Sequence, residues 1–165
     1  MRHLYSKFTT KSFRYISAVF FLIGDIGFAS YLYLSTKSQL KELMKNPLFE
    51  ELFQKSMQEQ GIELPAGISN EIFQIFTQSM LLFIVLVIFF HVILYIFYLN
   101  EKRFSYLYLR LVSFIGMILA FYLIIIKLTS EPTISVLFFA LTTLYLFNFA
   151  GFFFYPVLEK KRLET

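Results

Sequence analysis

Five polar residues interrupt stretches of the chain that are otherwise apolar, and their types could support chemistry there. They are Asp25, His91, Arg110, Ser113 and Asn148. A carboxyl group and an imidazole in an apolar setting could pass a proton, bind an ion or substrate, or contact a charged residue of a partner subunit. The same residues could instead form a satisfied hydrogen-bond cluster that fixes how helices pack. The residue types alone leave these interpretations open.

The elements that must position these residues are membrane spans. The chain has 165 residues, of which 58% are hydrophobic and only 16% are charged, and this is more apolar than a typical soluble domain. A spanning helix needs about 20 apolar residues. Four segments meet this length without the alternation of a membrane β-barrel, namely 15–34, 78–98, 106–127 and 134–156. The sequence therefore predicts an all-α, integral membrane four-helix bundle, with short connections at 99–105 and 128–133 that make neighbouring helices antiparallel.

Four of the five polar residues fall at similar predicted depths. At about 1.5 Å per residue, Asp25 lies at the middle of the first span, and His91, Ser113 and Asn148 lie about 5 Å to one side of the middle. By the same rise, Arg110 lies about 10 Å from the middle. A charge at the bilayer centre costs at least about 2.5–3.5 kcal/mol. Asp25 is therefore expected to be protonated, or paired with His91 or Arg110, within an intramembrane polar layer.

Small residues near this layer predict where helices approach each other closely. Gly116 and Ala120 have the four-residue spacing that lets two helix backbones come together. Gly24 precedes Asp25, and Gly151 lies close to one turn beyond Asn148. We therefore predict helix packing at Gly24, Gly116, Ala120 and Gly151.

The long connection at 35–77 is predicted to be helical and external. Its apolar residues recur every three or four positions, as in an amphipathic helix. Asn46 and Pro47 predict an N-cap and a first helical residue, Gly61 predicts the helix end, and residues 64–67 read as a turn. The helix could pack on the bundle or on the membrane surface. It could instead present a partner-binding face, which would consist of Leu48, Phe49, Leu52 and Phe53.

The distribution of Lys and Arg predicts the orientation. Basic residues are concentrated in the leader 1–14, the turn 99–105 and the tail 157–165, so the positive-inside rule puts both termini in the cytoplasm. The first span also resembles a signal peptide with a cleavage site before Ser30. Because Asp25 interrupts its apolar core, we expect the span to be retained. Heavy use of Phe, Ile, Tyr and Lys without Trp or Cys would fit a bacterial inner or plasma membrane protein.

Several classes of function are not supported by the sequence. There is no Cys, Asp25 is the only Asp, and the chain has two His. Cysteine chemistry and an aspartyl dyad are therefore excluded, and no zinc-protease, serine-hydrolase or phosphate-loop motif occurs. We expect no enzyme activity, no catalytic residues, no metal and no cofactor. The basic residues are divided among three short segments, so we expect no nucleic-acid partner.

Two functions fit what remains. The first is an accessory or structural subunit that acts through helix–helix contacts and contacts of the external loop. Its partners would be the lipid bilayer and either another membrane protein or a second copy of the chain. The alternative is a small transporter or proton-coupled channel that uses the polar layer around Asp25 and His91.

Overall fold

The computed structural model describes residues 9–61 and 68–163, with side chains described at all of these except 50, 69 and 155–163. Over these residues the fold is all-α, with no strand. The helices are α1 (Thr10–Met44), α2 (Pro47–Glu59), α3 (Ile68–Leu99), α4 (Arg103–Lys127) and α5 (Pro132–Leu163).

Four of these helices are long and apolar enough to cross a membrane. The candidate spans are Thr10–Met44, Asn70–Leu99, Arg103–Lys127 and Pro132–Phe154. The predicted class, an all-α membrane bundle with a helical connection between the first two spans, is confirmed. Each span predicted from the sequence lies within a longer helix. Since a helix can continue past the bilayer surface, the helix ends do not fix the boundaries of the spans.

The connection between the first two spans contains less loop than its length suggests. α1 continues to Met44 and α3 begins at Ile68, so much of the segment 35–77 belongs to these two helices. α2 begins as predicted, because the Asn46 side chain accepts a hydrogen bond from the Leu48 backbone N–H at 3.1 Å and Pro47 follows. α2 ends before Gly61, whose φ of 73° suits glycine. The predicted turn at 64–67 lies outside the described residues.

The two short connections reverse the chain in different ways. After α3, Glu101 takes a φ of 65°, and the Asn100 amide donates to a backbone carbonyl of α3 at 3.0 Å. Between α4 and α5, Lys127 and Glu131 form an ion pair, and Pro132 begins the next helix. The second reversal places α4 and α5 side by side in opposite directions.

The described chain forms two compact units. The bundle unit comprises the residues up to Gly27 and those from Phe89 onward, and the connecting unit comprises Phe28–Ile88. The bundle unit has an aromatic core centred on Phe152, which is 1% exposed. This ring lies 5.0–6.1 Å from four other rings, contributed by α1, α3 and α4. They belong to Phe13, Phe21, Tyr98 and Tyr106.

α4 and α5 are the most closely packed pair of helices in the described chain. One face of α4 is buried along its length and consists mainly of small residues, namely Ser105, Leu109, Ser113, Gly116 and Ala120. Tyr145 of α5 lies against this face at Gly116 and also against Gly24 of α1. A Cβ atom at Gly24 would lie 2.5 Å from the Tyr145 hydroxyl oxygen, and one at Gly116 would lie 2.8 Å from its ring. Both glycines are therefore required for this packing.

We expect Gly24→Ala and Gly116→Ala each to lower the free energy of unfolding by about 1–3 kcal/mol, because the added methyl group overlaps Tyr145. Thermal unfolding of the purified protein in detergent would measure this. Gly27→Ala is the matched control on α1, since its added methyl would meet the branched end of the Leu141 side chain at 3.0 Å rather than a rigid ring. An equal loss of stability in all three variants would contradict the proposed packing.

Candidate functional site

The strongest candidate site lies in the bundle unit, where three helices each direct a polar side chain to one place. α1 supplies Asp25, α3 supplies His91 and Tyr95, and α4 supplies Tyr108. His91 and Tyr95 are four residues apart, so they lie on the same face of α3. We call these four residues the polar network.

Each member of the polar network contacts another through a hydrogen bond. The His91 Nδ1 atom lies 2.8 Å from Asp25 Oδ2, and its Nε2 atom lies 2.8 Å from the Tyr108 hydroxyl oxygen. The Tyr95 hydroxyl donates to the same Asp25 oxygen. The imidazole therefore bridges a carboxyl group on one side and a phenol on the other.

The network can stay electrically neutral inside a membrane. The side chains of Asp25 and His91 are 9% and 16% exposed, so both are largely removed from solvent. A carboxylate with an imidazolium and a carboxylic acid with a neutral imidazole have the same net charge of zero, and they differ only in the position of one proton. In a low dielectric, this pairing avoids the cost of an isolated charge.

The residues of the network lie at different distances from one end of the bundle unit. At about 1.5 Å per residue, Tyr108 lies about 8 Å beyond the start of α4 and His91 lies about 12 Å before the end of α3. By the same rise, Asp25 lies about 16 Å beyond Arg14 on α1. Arg14 pairs with Glu101 in the α3–α4 turn, so these distances start from one end of the bundle unit. Tyr108, His91 and Asp25 thus lie at increasing distance from this end, and Asp25 is the farthest from it.

Aromatic rings surround the polar network. Tyr95 stacks on Phe21 with ring centroids 5.9 Å apart, and Phe90 packs edge-on against Tyr108 at 6.5 Å. The His91 ring also packs against Tyr108, with centroids 5.8 Å apart. These contacts restrict the rotamers of the hydrogen-bonding side chains, so the network has a defined geometry.

Arg110 and Ser113 lie in the predicted layer but outside the network. The Arg110 guanidinium lies over the Phe153 ring, 3.9 Å from its centroid, and not against Asp25. The buried Ser113 hydroxyl donates to the Arg110 backbone carbonyl at 2.8 Å. Of the two partners considered for Asp25, the structure brings His91 to it.

Asn148 is buried away from the network. Its Nδ2 atom donates a 3.4 Å hydrogen bond to the Ser17 backbone carbonyl. Its Oδ1 atom and the Ser17 hydroxyl have no hydrogen-bond partner in the described part of the chain. Asn148 therefore connects α5 to α1 independently of Asp25.

Sequence reasoning did not include Tyr95 and Tyr108 among the site residues. Tyr95 could have been found, because it lies one helical turn from His91 on a predicted span. Tyr108 gave no such signal, since its spacing relates it to neither Asp25 nor His91 in sequence. Its role depends on which face of α4 packs against α3. The helical periodicity of α4 alone does not specify this face.

The four residues of the predicted external face have two different environments in the connecting unit. Phe49 and Phe53 are partly buried and line an apolar cavity of about 120 Å³ together with residues of α1 and α3. Leu48 and Leu52 are 64% and 67% exposed. Of the remaining predicted packing positions, Ala120 and Gly151 are both buried.

We expect a double-mutant cycle to show energetic coupling between Asp25 and His91. Asp25→Asn and His91→Gln should each lower the melting temperature, and the double variant should lower it by less than the sum. Interhelical hydrogen bonds in membranes couple by about 0.6–1.7 kcal/mol. The control cycle combines Asp25→Asn with Ser113→Ala, whose hydroxyl bonds its own helix, and should be additive. Additivity in the first cycle would rule out the contact.

Neither a metal site nor a relative adds to this picture. Within residues 9–61 and 68–163, no group of three or more His, Asp or Glu is placed to hold a metal ion. The polar network joins a carboxyl group, an imidazole and two phenols from three helices by hydrogen bonds. No protein-family model matches the chain, and neither a curated protein sequence nor a solved structure is significantly similar to it.

Proposed function

We propose that this multi-pass membrane protein is a small proton-coupled transporter or channel, in which the polar network binds and passes the proton. The observation that carries the proposal is the position of His91. One ring nitrogen contacts the Asp25 carboxyl and the other contacts the Tyr108 hydroxyl. An imidazole held in this way can accept a proton at one nitrogen and release one from the other.

Proton uptake can be written with these groups alone, starting from an Asp25 carboxylate and a neutral His91 that carries its proton on Nδ1, a state with a single net negative charge. Tyr108 gives its hydroxyl proton to His91 Nε2, and Nδ1–H gives its proton to the Asp25 carboxylate. Tyr108 regains a proton from the end of the bundle unit at which α4 begins, and the network is then neutral. Tyr95 is a positioning residue, because its hydroxyl donates to Asp25 Oδ2 and holds that oxygen toward His91. Asp25 then carries the proton near the middle of the first span.

The length of the network supports transport over a purely structural role. A hydrogen-bond cluster that only fixes helix packing needs no connection to a membrane surface. The contact to Tyr108 brings the network within about 8 Å of the start of α4. The basic residues Arg14, Lys102 and Arg103 lie at this end, so by the positive-inside rule we assign it to the cytoplasm. Protons would then exchange between the cytoplasm and Asp25.

We expect the protein in lipid vesicles to carry protons when a potassium diffusion potential is applied, as followed by a pH-sensitive dye in the lumen. Asp25→Asn should lower the rate at least about tenfold, because a loss of 1.4 kcal/mol in a transfer step has this effect. Tyr108→Phe should also lower the rate, since it removes the phenol proton. The matched control is Tyr122→Phe, because Tyr122 lies on the same helix and is 58% exposed.

Circular dichroism and gel filtration of each variant would show whether it is folded. Flux from the parent protein no greater than that of empty vesicles, under either polarity of the potential, would refute the proposal. Full flux in folded Asp25→Asn would refute the role of the network.

A second candidate function, the accessory subunit, is favoured by the exposed residues of α2. Leu48 and Leu52 are exposed on a helix that is not among the candidate membrane spans. They lie one helical turn apart, so they form one apolar strip. On the same helix, Phe49 and Phe53 contact the apolar cavity that they line with residues of α1 and α3. They would hold α2 in place while Leu48 and Leu52 contact a membrane-protein partner or a second copy.

For this candidate we expect the double variant Leu48→Glu, Leu52→Glu to lose a cross-linked partner in native membranes without a change in melting temperature. The exposed side chains contribute little to the fold, so only association should respond. Gln54→Glu with Ser56→Glu is the matched control, since both residues are exposed on the same helix. An unchanged cross-linking pattern in the leucine variant would exclude this contact.

A further inference from the structure

A second cavity lies at the end of the bundle unit where α1 begins and α3 turns into α4. Its volume is about 230 Å³. It is separate from the polar network and is lined by charged and aromatic side chains of three helices and one turn, namely Arg14, Tyr98, Glu101, Lys102, Arg103 and Tyr106.

The charge around this cavity is positive. Three of the lining residues are cationic and one is anionic, and the anionic residue, Glu101, is paired with Arg14. Lys102 and Arg103 are exposed. In the part of the chain that the structure describes, no carboxylate pairs with either of them. The cavity therefore presents two cations, Lys102 and Arg103, that have no anionic partner among the described residues.

Two of the residues that line the cavity, Tyr98 and Tyr106, are aromatic and contact the core of the bundle unit. Tyr98 is 2% exposed, and its ring packs edge-on against Phe152 with centroids 5.8 Å apart. The Tyr106 hydroxyl donates to the Phe152 backbone carbonyl at 2.6 Å. Because these two rings contact the core of the bundle unit, the aromatic side of the cavity has a defined geometry.

An apolar surface lies next to the same turn. Phe97 precedes the turn and Phe104 follows it, and their rings pack 6.2 Å apart while remaining 40% and 55% exposed. An acidic headgroup with attached acyl chains would match a positive cavity next to exposed aromatic rings. A free anion would match the cavity alone.

We infer that this cavity binds a phosphate group, supplied either by an anionic membrane phospholipid or by free inorganic phosphate. Arginine and lysine side chains form short, charge-assisted hydrogen bonds to phosphate oxygens. Lys102 and Arg103 are the principal binding residues. Arg14 also contributes, but Glu101 competes with the phosphate for its guanidinium.

Native mass spectrometry of the full chain in detergent would test the lipid source, with phosphatidylglycerol compared with phosphatidylcholine of the same chain length. We expect phosphatidylglycerol to bind about tenfold more tightly, given the attraction of each basic residue for an anionic headgroup. The double variant Lys102→Gln, Arg103→Gln should remove this preference. Lys41→Gln with Lys45→Gln is the control, because it removes the same charge from exposed positions of the connecting unit.

Titration calorimetry with inorganic phosphate would test the other source, using the same variants. Binding that is lost in Lys102→Gln, Arg103→Gln but kept in the control identifies free phosphate as the ligand. The inference is overturned if phosphatidylglycerol and phosphatidylcholine bind equally and inorganic phosphate does not bind. It is also overturned if the double variant and the control behave alike.

Glu101→Gln provides a test in which binding should become tighter, a result that a misfolded variant would not give. This change removes the carboxylate that pairs with Arg14, so it frees one more cation for the phosphate. We expect the affinity for the bound phosphate ligand to rise about fivefold, as for one added basic residue near the headgroup. Unchanged or weaker binding in this variant would contradict the placement of the ligand.

Discussion

The close approach of Tyr145 to two glycines is the constraint on which the rest of the bundle unit depends. The ring lies where any side chain at Gly24 or Gly116 would overlap it, so α5 meets the bare backbones of both α1 and α4. Asp25 follows Gly24, and consecutive residues lie about 100° apart around a helix. With Gly24 turned toward α5, Asp25 is turned toward α3, where His91 receives it.

The membrane imposes a second constraint, which is that polar groups must be satisfied by each other. Asp25 and His91 meet this requirement because they are hydrogen-bonded to each other and each has a further phenol partner. The contact between Asn148 and Ser17 is different, since it leaves one oxygen on each residue without a partner among the described residues. Two polar clusters in the same bundle unit therefore have different character. One is a connected set of hydrogen bonds among four side chains of three helices, and the other is a single 3.4 Å hydrogen bond between α5 and α1.

The sequence predicted the class of fold and offered His91 as one possible partner of Asp25, but it did not specify the pairing of helix faces. Length and apolarity are sufficient to identify four spans, because a bilayer has a fixed thickness. The depth predicted for a residue in the membrane depends only on its position along a helix. It therefore allowed both His91 and Arg110 as partners of Asp25. For α2, the periodicity identified an apolar face without specifying what covers it. The structure shows that its own chain covers Phe49 and Phe53 and leaves Leu52 exposed.

The different positions of Tyr108 and Arg110 follow from the geometry of α4. Two residues separated by one other lie about 200° apart around a helix, so only one of them can face Asp25 and His91. Tyr108 faces them, and Arg110 is turned to the opposite side, where its flat guanidinium packs over Phe153. The phenol beside His91 and the guanidinium over Phe153 therefore both follow from one rotation of α4 about its axis.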